Sequence, residues 1–341
     1  MQNNFIFISN SFGGIKSFRN NLLEELIRKN IECTLIDQTN HKINKKKFRF
    51  YKINVLNKIV ETIKIIKKLS ILNKNKLSIF IFSNPVIFLL YFFYIKFFFK
   101  KYKLFFFVHS HITKQKFFLS LTNYIVSFLF IFIDKVFYVS KFTKNWWENK
   151  YYFCKFANSS IQYNSVFLNK KFRIRKIKKL KIGFVGRLSN EKGLDKFLEI
   201  AFANKNKYIF NVFSDERLNL KNYKKNNINF FYKNKISSIY KNIDILLVTS
   251  PIENCPFSVL EAKSYGVPSL VYLTKGGIKE IINNNYDGII IKSLKNELEL
   301  NKKINLIKKK YKFFSQNAFQ NSRKYDAKIQ LKKLIREKLL K

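Results

Sequence analysis

Only nine glycines, four prolines, three cysteines and three histidines occur in the 341 residues. So little glycine and proline excludes a low-complexity or linker-rich chain. Cys33, Cys154 and Cys255 are scattered and odd in number, which argues against a disulfide framework and a cysteine metal site and points to a reducing compartment. The histidines show no metal-ligand spacing either, so no metal is expected on this ground. Acidic residues are scarce as well: 21 Asp and Glu against 66 Lys and Arg give a formal charge of +45. No RNP-like, zinc-finger or helix-turn-helix signature accompanies that charge, so a specific nucleic-acid partner is not expected. Heavy use of Lys, Asn, Ile, Phe and Tyr reads mainly as coding bias. Uninterrupted apolar runs are short too. Val86 to Ile95 stops at Lys96, and Tyr124 to Ile133, apolar apart from Ser127, is no longer; both fall below the roughly 20 residues of a membrane span and predict buried or interfacial helices. Met1 to Ile8 lacks a basic n-region and cleavage site, so it reads as a first strand and the expected compartment is cytoplasmic.

What is present is a repeated alternation of apolar strands and amphipathic helices, in a chain long enough for two domains. Phe5 to Ser9 predicts a strand, followed by Gly13-Gly14 and a helix through Lys29. Ile31 to Asp37, Leu77 to Phe82, Leu104 to Val108 and Val136 to Val139 predict further strands, with His41 to Lys52 as a basic loop. His109 falls at the C-terminal end of the Leu104 strand, where a doubly wound sheet binds its ligands. Lys141 to Tyr152 predicts a helix, and the basic tract Lys170 to Lys179 reads as a linker. The pattern then restarts with the strand Lys181 to Val185. Two doubly wound units in tandem imply a cleft between them, a preferred place for small-molecule sites.

The most informative stretch runs from Thr249 to Ala262. It follows the apolar run Ile243 to Val248 and enters a helix predicted over Ser258 to Tyr265, closed by Gly266 with Pro268 beyond. Glu253 stands in the turn and Glu261 on the helix. The N–H groups of Phe257, Ser258 and Val259 lie at the helix N-terminus, which suits a phosphate. Carboxylates accept from sugar or ribose hydroxyls. Glu261 lies among apolar neighbours, so its burial needs such partners. This turn therefore predicts a sugar-nucleotide site. Arg187 and Lys192, in the loop after the Lys181 strand, offer a planar fork and a compact charge to phosphate oxygens. Tyr240 and Asp244 read as structural.

In combination these blocks resemble a GT-B retaining glycosyltransferase of the GT4 type, the glycosyl transferases group 1 superfamily, over nearly the whole chain. Gly13-Gly14 resembles that family's N-terminal glycine loop, His109 its histidine after the fourth strand, and Ser140 with Tyr163-Asn164-Ser165-Val166 the passage into the interdomain linker. Gly186 to Gly193 resembles the G-R-L-x-x-E-K-G block. Glu253 and Glu261 form the E-x7-E motif, with Gly266-Val267-Pro268 and Gly276 to Glu280 following. Cys255, Ser110 and Ser165 depart from the usual residues.

The resemblance implies an α/β GT-B fold of two tandem Rossmann-like domains. Their expected bounds are 1–166 on the acceptor side, a linker at 167–180, the donor-nucleotide domain at 181–322, and a terminal helix within 323–341 crossing back. It implies a nucleotide-sugar-dependent, metal-independent hexosyltransferase with no cofactor, acting in cell-surface polysaccharide or lipopolysaccharide synthesis. Arg187 and Lys192 would bind the diphosphate, and Glu253 the donor sugar. Glu261 would hold the ribose, Phe257, Ser258 and Val259 would offer backbone donors, and His109 would face the sugar. Gly13-Gly14 would let the acceptor or diphosphate approach. A saccharide or lipid-linked acceptor is the implied partner. The aromatic-rich, basic N-terminal half adds a possible peripheral contact with an anionic membrane. Two alternatives remain at this level: a sugar-nucleotide 2-epimerase on the same fold, or a basic nucleic-acid or anionic-lipid binding protein with a degenerate site.

Overall fold

The computed structural model describes residues 4–9, 13–37, 49–52, 58–109, 117–169, 172–216, 228–232, 234–293 and 296–339. The chain packs as two compact units: one up to Tyr163 together with the end of the chain from Leu334, the other from Asn164 to Lys333.

The first unit holds strands β1 (Asn4–Ser9), β2 (Glu32–Asp37), β3 (Arg49–Lys52), β4 (Ser78–Phe82), β5 (Tyr102–Val108), β6 (Lys135–Tyr138) and β7 (Ser159–Ile161). Between them run α1 (Gly13–Arg28), α2 (Lys58–Leu72), α3 (Pro85–Phe98), α4 (Phe117–Leu129) and α5 (Lys141–Lys150). The sheet is parallel in the order β3-β2-β1-β4-β5-β6-β7. Strands covered on both faces need continuous apolar runs, and β4 is buried at every residue. Helix starts follow local chemistry. Asn84 accepts from the Ile87 N–H at 3.1 Å with Pro85 in the first turn, and Ser140 accepts from the Thr143 N–H at 3.1 Å at the head of α5. Phe80, Phe88, Phe106, Phe130, Tyr138 and Trp147 belong to the core between sheet and helices.

The second unit repeats the plan. Its strands are β8 (Lys181–Val185), β9 (Ile209–Ser214), β10 (Ile228–Tyr232), β11 (Ile245–Val248), β12 (Ser269–Tyr272) and β13 (Gly288–Ile291). Its helices are α6 (Leu194–Ala203), α7 (Ile236–Lys241), α8 (Phe257–Ser264), α9 (Ile278–Ile281), α10 (Glu297–Lys309) and α11 (Tyr311–Ser322), and α12 (Ala327–Leu339) ends the described chain. The parallel order β10-β9-β8-β11-β12-β13 reverses direction between β8 and β11. Such a switch point is where open α/β sheets bind ligands, beyond the strands' C-terminal ends. Both loops singled out in the sequence, 186–193 and 249–256, leave those two strands.

Three local expectations change. Arg49–Lys52, expected inside a basic loop, adds to the sheet edge beside β2 as β3; residues 41–48 of that loop lie outside the described residues, as does Ser110. The helix predicted to Tyr152 stops at Lys150 and becomes a 3-10 turn, Tyr152–Lys155, that buries Cys154. The basic tract read as a linker packs along the second unit where it is described. Arg175 donates to the carbonyls of Lys241 and Ile243 at 2.8 and 2.7 Å, and Phe172 stacks on Phe319 at 4.3 Å. All three cysteines are buried and free.

Candidate functional site

The loop after β8 is fixed to the loop after β11 by hydroxyl groups at the end of β11. Thr249 Oγ1 donates to the Gly193 carbonyl at 2.7 Å, and Ser250 Oγ to the Lys192 carbonyl at 3.2 Å. Gly193 adopts φ 69°, and a Cβ there would stand 2.4 Å from the Thr249 carbonyl oxygen, so the approach requires glycine. Lys192 is thereby held with its ammonium 2.7 Å from Glu253 Oε1; the side chains are 31% and 7% exposed. Arg187, in contrast, lies at the surface and pairs with Glu191 at 2.9 Å.

Glu253 is positioned from both sides. Its N–H donates to the Lys275 carbonyl at 3.0 Å, and the Lys275 N–H returns a bond to Pro251 at 3.1 Å. Asn164 then pins the next turn, its Nδ2 donating to the Cys255 carbonyl at 2.7 Å and its backbone N–H to Cys255 Sγ at 3.3 Å. Burial pushes the Cys255 thiol up to about 12, so it serves as a neutral acceptor. Gly276 closes the arrangement at φ 127°; a Cβ there would meet the Glu253 carbonyl oxygen at 2.1 Å. We expect Gly276→Ala to displace Glu253 and to cost about 1–3 kcal/mol of backbone strain. Thermal unfolding together with nucleotide titration checks this: an unchanged melting temperature and affinity would remove the positioning role.

α8 begins at Phe257, behind Pro256, and no side chain caps it. Its first main-chain bond runs from the Leu260 N–H to the Pro256 carbonyl at 3.3 Å. The N–H groups of Phe257, Ser258 and Val259 therefore have no acceptor within the helix. Lys192, Thr249, Ser250, Glu253 and Ser258 line one depression at this end of the sheet. A cation, a carboxylate and a helix N-terminus thus converge on one spot, an arrangement suited to an anion that carries hydroxyl groups.

One turn further along α8, half-buried Glu261 accepts from Tyr240 Oη at 2.9 Å, and the same hydroxyl lies 3.1 Å from the Ser258 carbonyl. Tyr240, read as structural from the sequence, is a direct partner of this carboxylate. Burial raises the Glu261 pKa to about 7; the Tyr240 hydrogen bond opposes that shift and Asp215 adds to it. The folded state therefore binds this proton more tightly than the unfolded chain. Stability from this group is full below pH ~4.5 and is lost as pH rises towards 7. A ligand that donates hydroxyl protons prefers the ionised form. Its affinity is expected to increase as pH rises through about 7 and to become flat in Glu261→Gln. Calorimetric titration with a nucleoside diphosphate on either side of neutrality tests this; an equal pH dependence in the variant would remove Glu261 from the site.

The remaining sequence candidates lie in the first unit. Gly13 and Gly14 open α1 instead of standing in a loop before it. The half-buried His109 ring packs against Phe18 of α1 at 4.7 Å and Phe107 at 6.3 Å. Burial pushes its pKa down to about 3, so the imidazole is neutral at ordinary pH. The structure brings Lys192, Glu253, Phe257, Ser258, Val259 and Glu261 together within the second unit, with Arg187 at the rim of the same loop. Asn164 and Tyr240 were the partners that spacing alone could not assign.

The segment that carries these residues resembles known proteins. Residues 167–325 match the family model "Glycosyl transferases group 1". Over 102 residues, covering 29% of this chain and 28% of the relative, the chain is 36% identical to the amylovoran biosynthesis glycosyltransferase AmsD of Erwinia amylovora. Over 100 residues, 28% of this chain and 26% of the relative, it is 36% identical to the N,N'-diacetylbacillosaminyl-diphospho-undecaprenol alpha-1,3-N-acetylgalactosaminyltransferase of Campylobacter jejuni. The matches span 26% to 51% of the lengths of these and two further curated relatives. The structure of Anabaena HepE in complex with UDP and glucose superposes with a TM-score of 0.74 at 13% identity, covering 99% of both chains. The chain has the GT-B fold, and residues 167–325, which carry the Lys192–Glu253 pair and α8, are the part that matches the glycosyl transferases group 1 model.

Proposed function

We propose that the protein is a retaining, hexosyltransferase-type glycosyltransferase that moves a sugar from a nucleoside diphosphate to a saccharide or lipid-linked acceptor in cell-surface polysaccharide synthesis. The observation that carries the reading is the Lys192–Glu253 pair at 2.7 Å beside the uncapped start of α8. Diphosphate oxygens would take the N–H groups of Phe257, Ser258 and Val259, with Lys192 neutralising their charge. Arg187 would exchange its surface partner Glu191 for the same group. Glu253 would accept from the sugar hydroxyls, and Glu261 from the ribose.

In the transfer, the bond between the anomeric carbon and the diphosphate oxygen breaks, and the acceptor oxygen bonds to that carbon on the same face. The acceptor proton passes to the departing phosphate oxygen. Charge grows on the diphosphate as the bond stretches, which is where fixed cations and helix N–H groups contribute most. These protein cations supply the electrostatic role without a metal in this proposal. His109, neutral through burial, would contribute as a hydrogen-bonding group and not as a cation. The names of the relatives support the acceptor class: one belongs to amylovoran biosynthesis and the other acts on a diphospho-undecaprenol saccharide.

Thermal-shift screening against UDP-, GDP- and ADP-sugars tests the donor assignment. The expected result is stabilisation by one base series, lost in Lys192→Ala. Absence of a shift with every series would overturn the reading. Conversion of the sugar nucleotide to a new sugar nucleotide without an acceptor would identify an epimerase instead.

A further inference from the structure

α4 is built inside out for a helix in water. Its buried face mixes Thr122, Asn123 and Ser127 with Val126 and Leu129, while Phe117, Leu121, Tyr124 and Phe128 form an exposed stripe at helical spacing. A water-facing helix ordinarily shows the opposite order. The inward hydroxyls are satisfied on the helix's own carbonyls, Thr122 Oγ1 to Phe118 at 2.9 Å and Ser127 Oγ to Tyr124 at 2.6 Å. Burying them therefore leaves no donor stranded. α3 packs beside α4 and is apolar on both faces: Phe88, Tyr91 and Ile95 point to the core, while Leu90, Phe93 and Phe97 are exposed.

The apolar surface continues without a break into the neighbouring turn. Phe128 meets Phe132 at 5.3 Å and Phe153 at 5.1 Å, and Tyr152 meets Phe156 at 5.2 Å. Phe97, Phe117 and Phe118 are 83%, 85% and 74% exposed, far beyond the scattered single apolar residues of an ordinary surface.

The charges that stand over these rings are lysines. Lys96 Nζ stands over the Phe92 and Phe132 rings at 4.9 and 5.5 Å, and Lys155 Nζ lies 5.7 Å from the Tyr152 ring. No Asp or Glu occurs between Glu61 and Asp134, a stretch that includes α3 and α4. A second copy docked on the same face would bring identical lysine sets together, because a two-fold interface pairs a patch with itself. An anionic bilayer offers apolar depth for the aromatic rings and headgroup charge for the lysines. No helix among the described residues is long and apolar enough to cross a membrane, and the 14-residue α3 would reach only about 21 Å even if upright.

We propose that the exposed face of α3, α4 and the Tyr152–Lys155 turn is a membrane-docking surface that lays these aromatic side chains into the interface of an anionic bilayer. This stands independently of the transferase reading, since it concerns a different unit and different residues. The test is flotation of the full chain with vesicles of phosphatidylcholine alone or mixed with phosphatidylglycerol. The wild type is expected to float with the anionic vesicles, and less so at roughly 1 M salt, where screening shortens to about 3 Å.

The triple variant Phe97→Ser, Phe117→Ser, Phe118→Ser should bind them at least about tenfold more weakly, because each buried apolar group contributes to interfacial affinity. Its thermal unfolding should match the wild type, since all three side chains are exposed. Lys96→Gln with Lys155→Gln should weaken binding to anionic vesicles only. Undiminished flotation of the serine variant would overturn the proposal. So would equal binding of the wild type to phosphatidylcholine alone, or a wild-type dimer that the serine variant abolishes in the absence of vesicle binding. No nucleotide sugar is present in the assay, so its failure leaves the donor-site reading to be decided by the thermal-shift screen.

Discussion

Lys192→Ala is expected to lower kcat for sugar transfer by about 10²–10³, the usual cost of removing one preorganised group that stabilises developing charge. The magnitude follows from how the ammonium is held. Its backbone carbonyl accepts from Ser250, the next residue is the positive-φ Gly193 locked against Thr249, and its Nζ lies 2.7 Å from Glu253. A side chain fixed in this way has little reorganisation left to undergo when the diphosphate departs. Glu253→Ala is expected to fall by at least about tenfold, roughly 1.4 kcal/mol in the barrier. It removes a sugar contact and also frees Lys192 from its anchor. The two losses should not add, because the residues touch. Lys192→Arg should not restore the rate: the guanidinium is a planar fork and the ammonium a compact charge. Single-turnover kinetics on folded variants provides the check. A wild-type rate in Lys192→Ala would end the assignment of the pair to the reaction.

The largest effect on stability is expected from Lys263→Met. Lys263 lies on α8 and is fully buried with Asp287, its Nζ 2.7 Å from Oδ2. It also donates to the Ile281 carbonyl, and Asp287 accepts from Asn321 and from the Asn283 N–H. Burial pulls the Lys263 pKa down to about 8 while Asp287 opposes the shift. Its folded-state pKa therefore lies below the unfolded 10.5, and between those values the folded protein holds fewer protons than the unfolded chain. Stability from this titration rises with pH across that window. Deleting the lysine alone leaves a buried carboxylate without its cation, at a cost of about 3–5 kcal/mol. Replacing both partners, as in Lys263→Met with Asp287→Leu, should recover much of the loss, since a buried pair often contributes little over apolar packing. Denaturant unfolding of the two variants separates these outcomes; equal midpoints would contradict the argument. Because the pair anchors the helix whose N-terminus faces the depression, the single variant should also weaken nucleotide binding.

The parallel sheets were legible in the chain because a strand covered on both faces needs an apolar run, and Ile79 to Phe82, Leu104 to Val108 and Ile245 to Val248 supply such runs. The edge strands of the first unit were not. Arg49–Lys52 carries charge at both ends, and Ser159–Ile161 is three residues long; each pairs on one side only, which asks little of composition. Glu253, Glu261, Arg187 and Lys192 could be found because their spacing follows strand ends and a helix start. Their partners could not. Asn164 reaches Cys255 across 91 residues, and Tyr240 reaches Glu261 across 21. No periodicity encodes such separations.

The sequence by itself determined the kind of fold, since strand and helix periods are local. It also determined which residues stand where a doubly wound sheet binds ligands. Tertiary structure alone decided that Lys192 meets Glu253, because β8 and β11 are neighbours only through the switch in strand order. It also decided that Glu261 titrates near 7, because burial and not residue type sets that value. The outward face of α4 was decided in the same way. Its composition reads equally as a buried or an interfacial helix, and only packing shows that Thr122, Asn123 and Ser127 face inward while the aromatic rings face out.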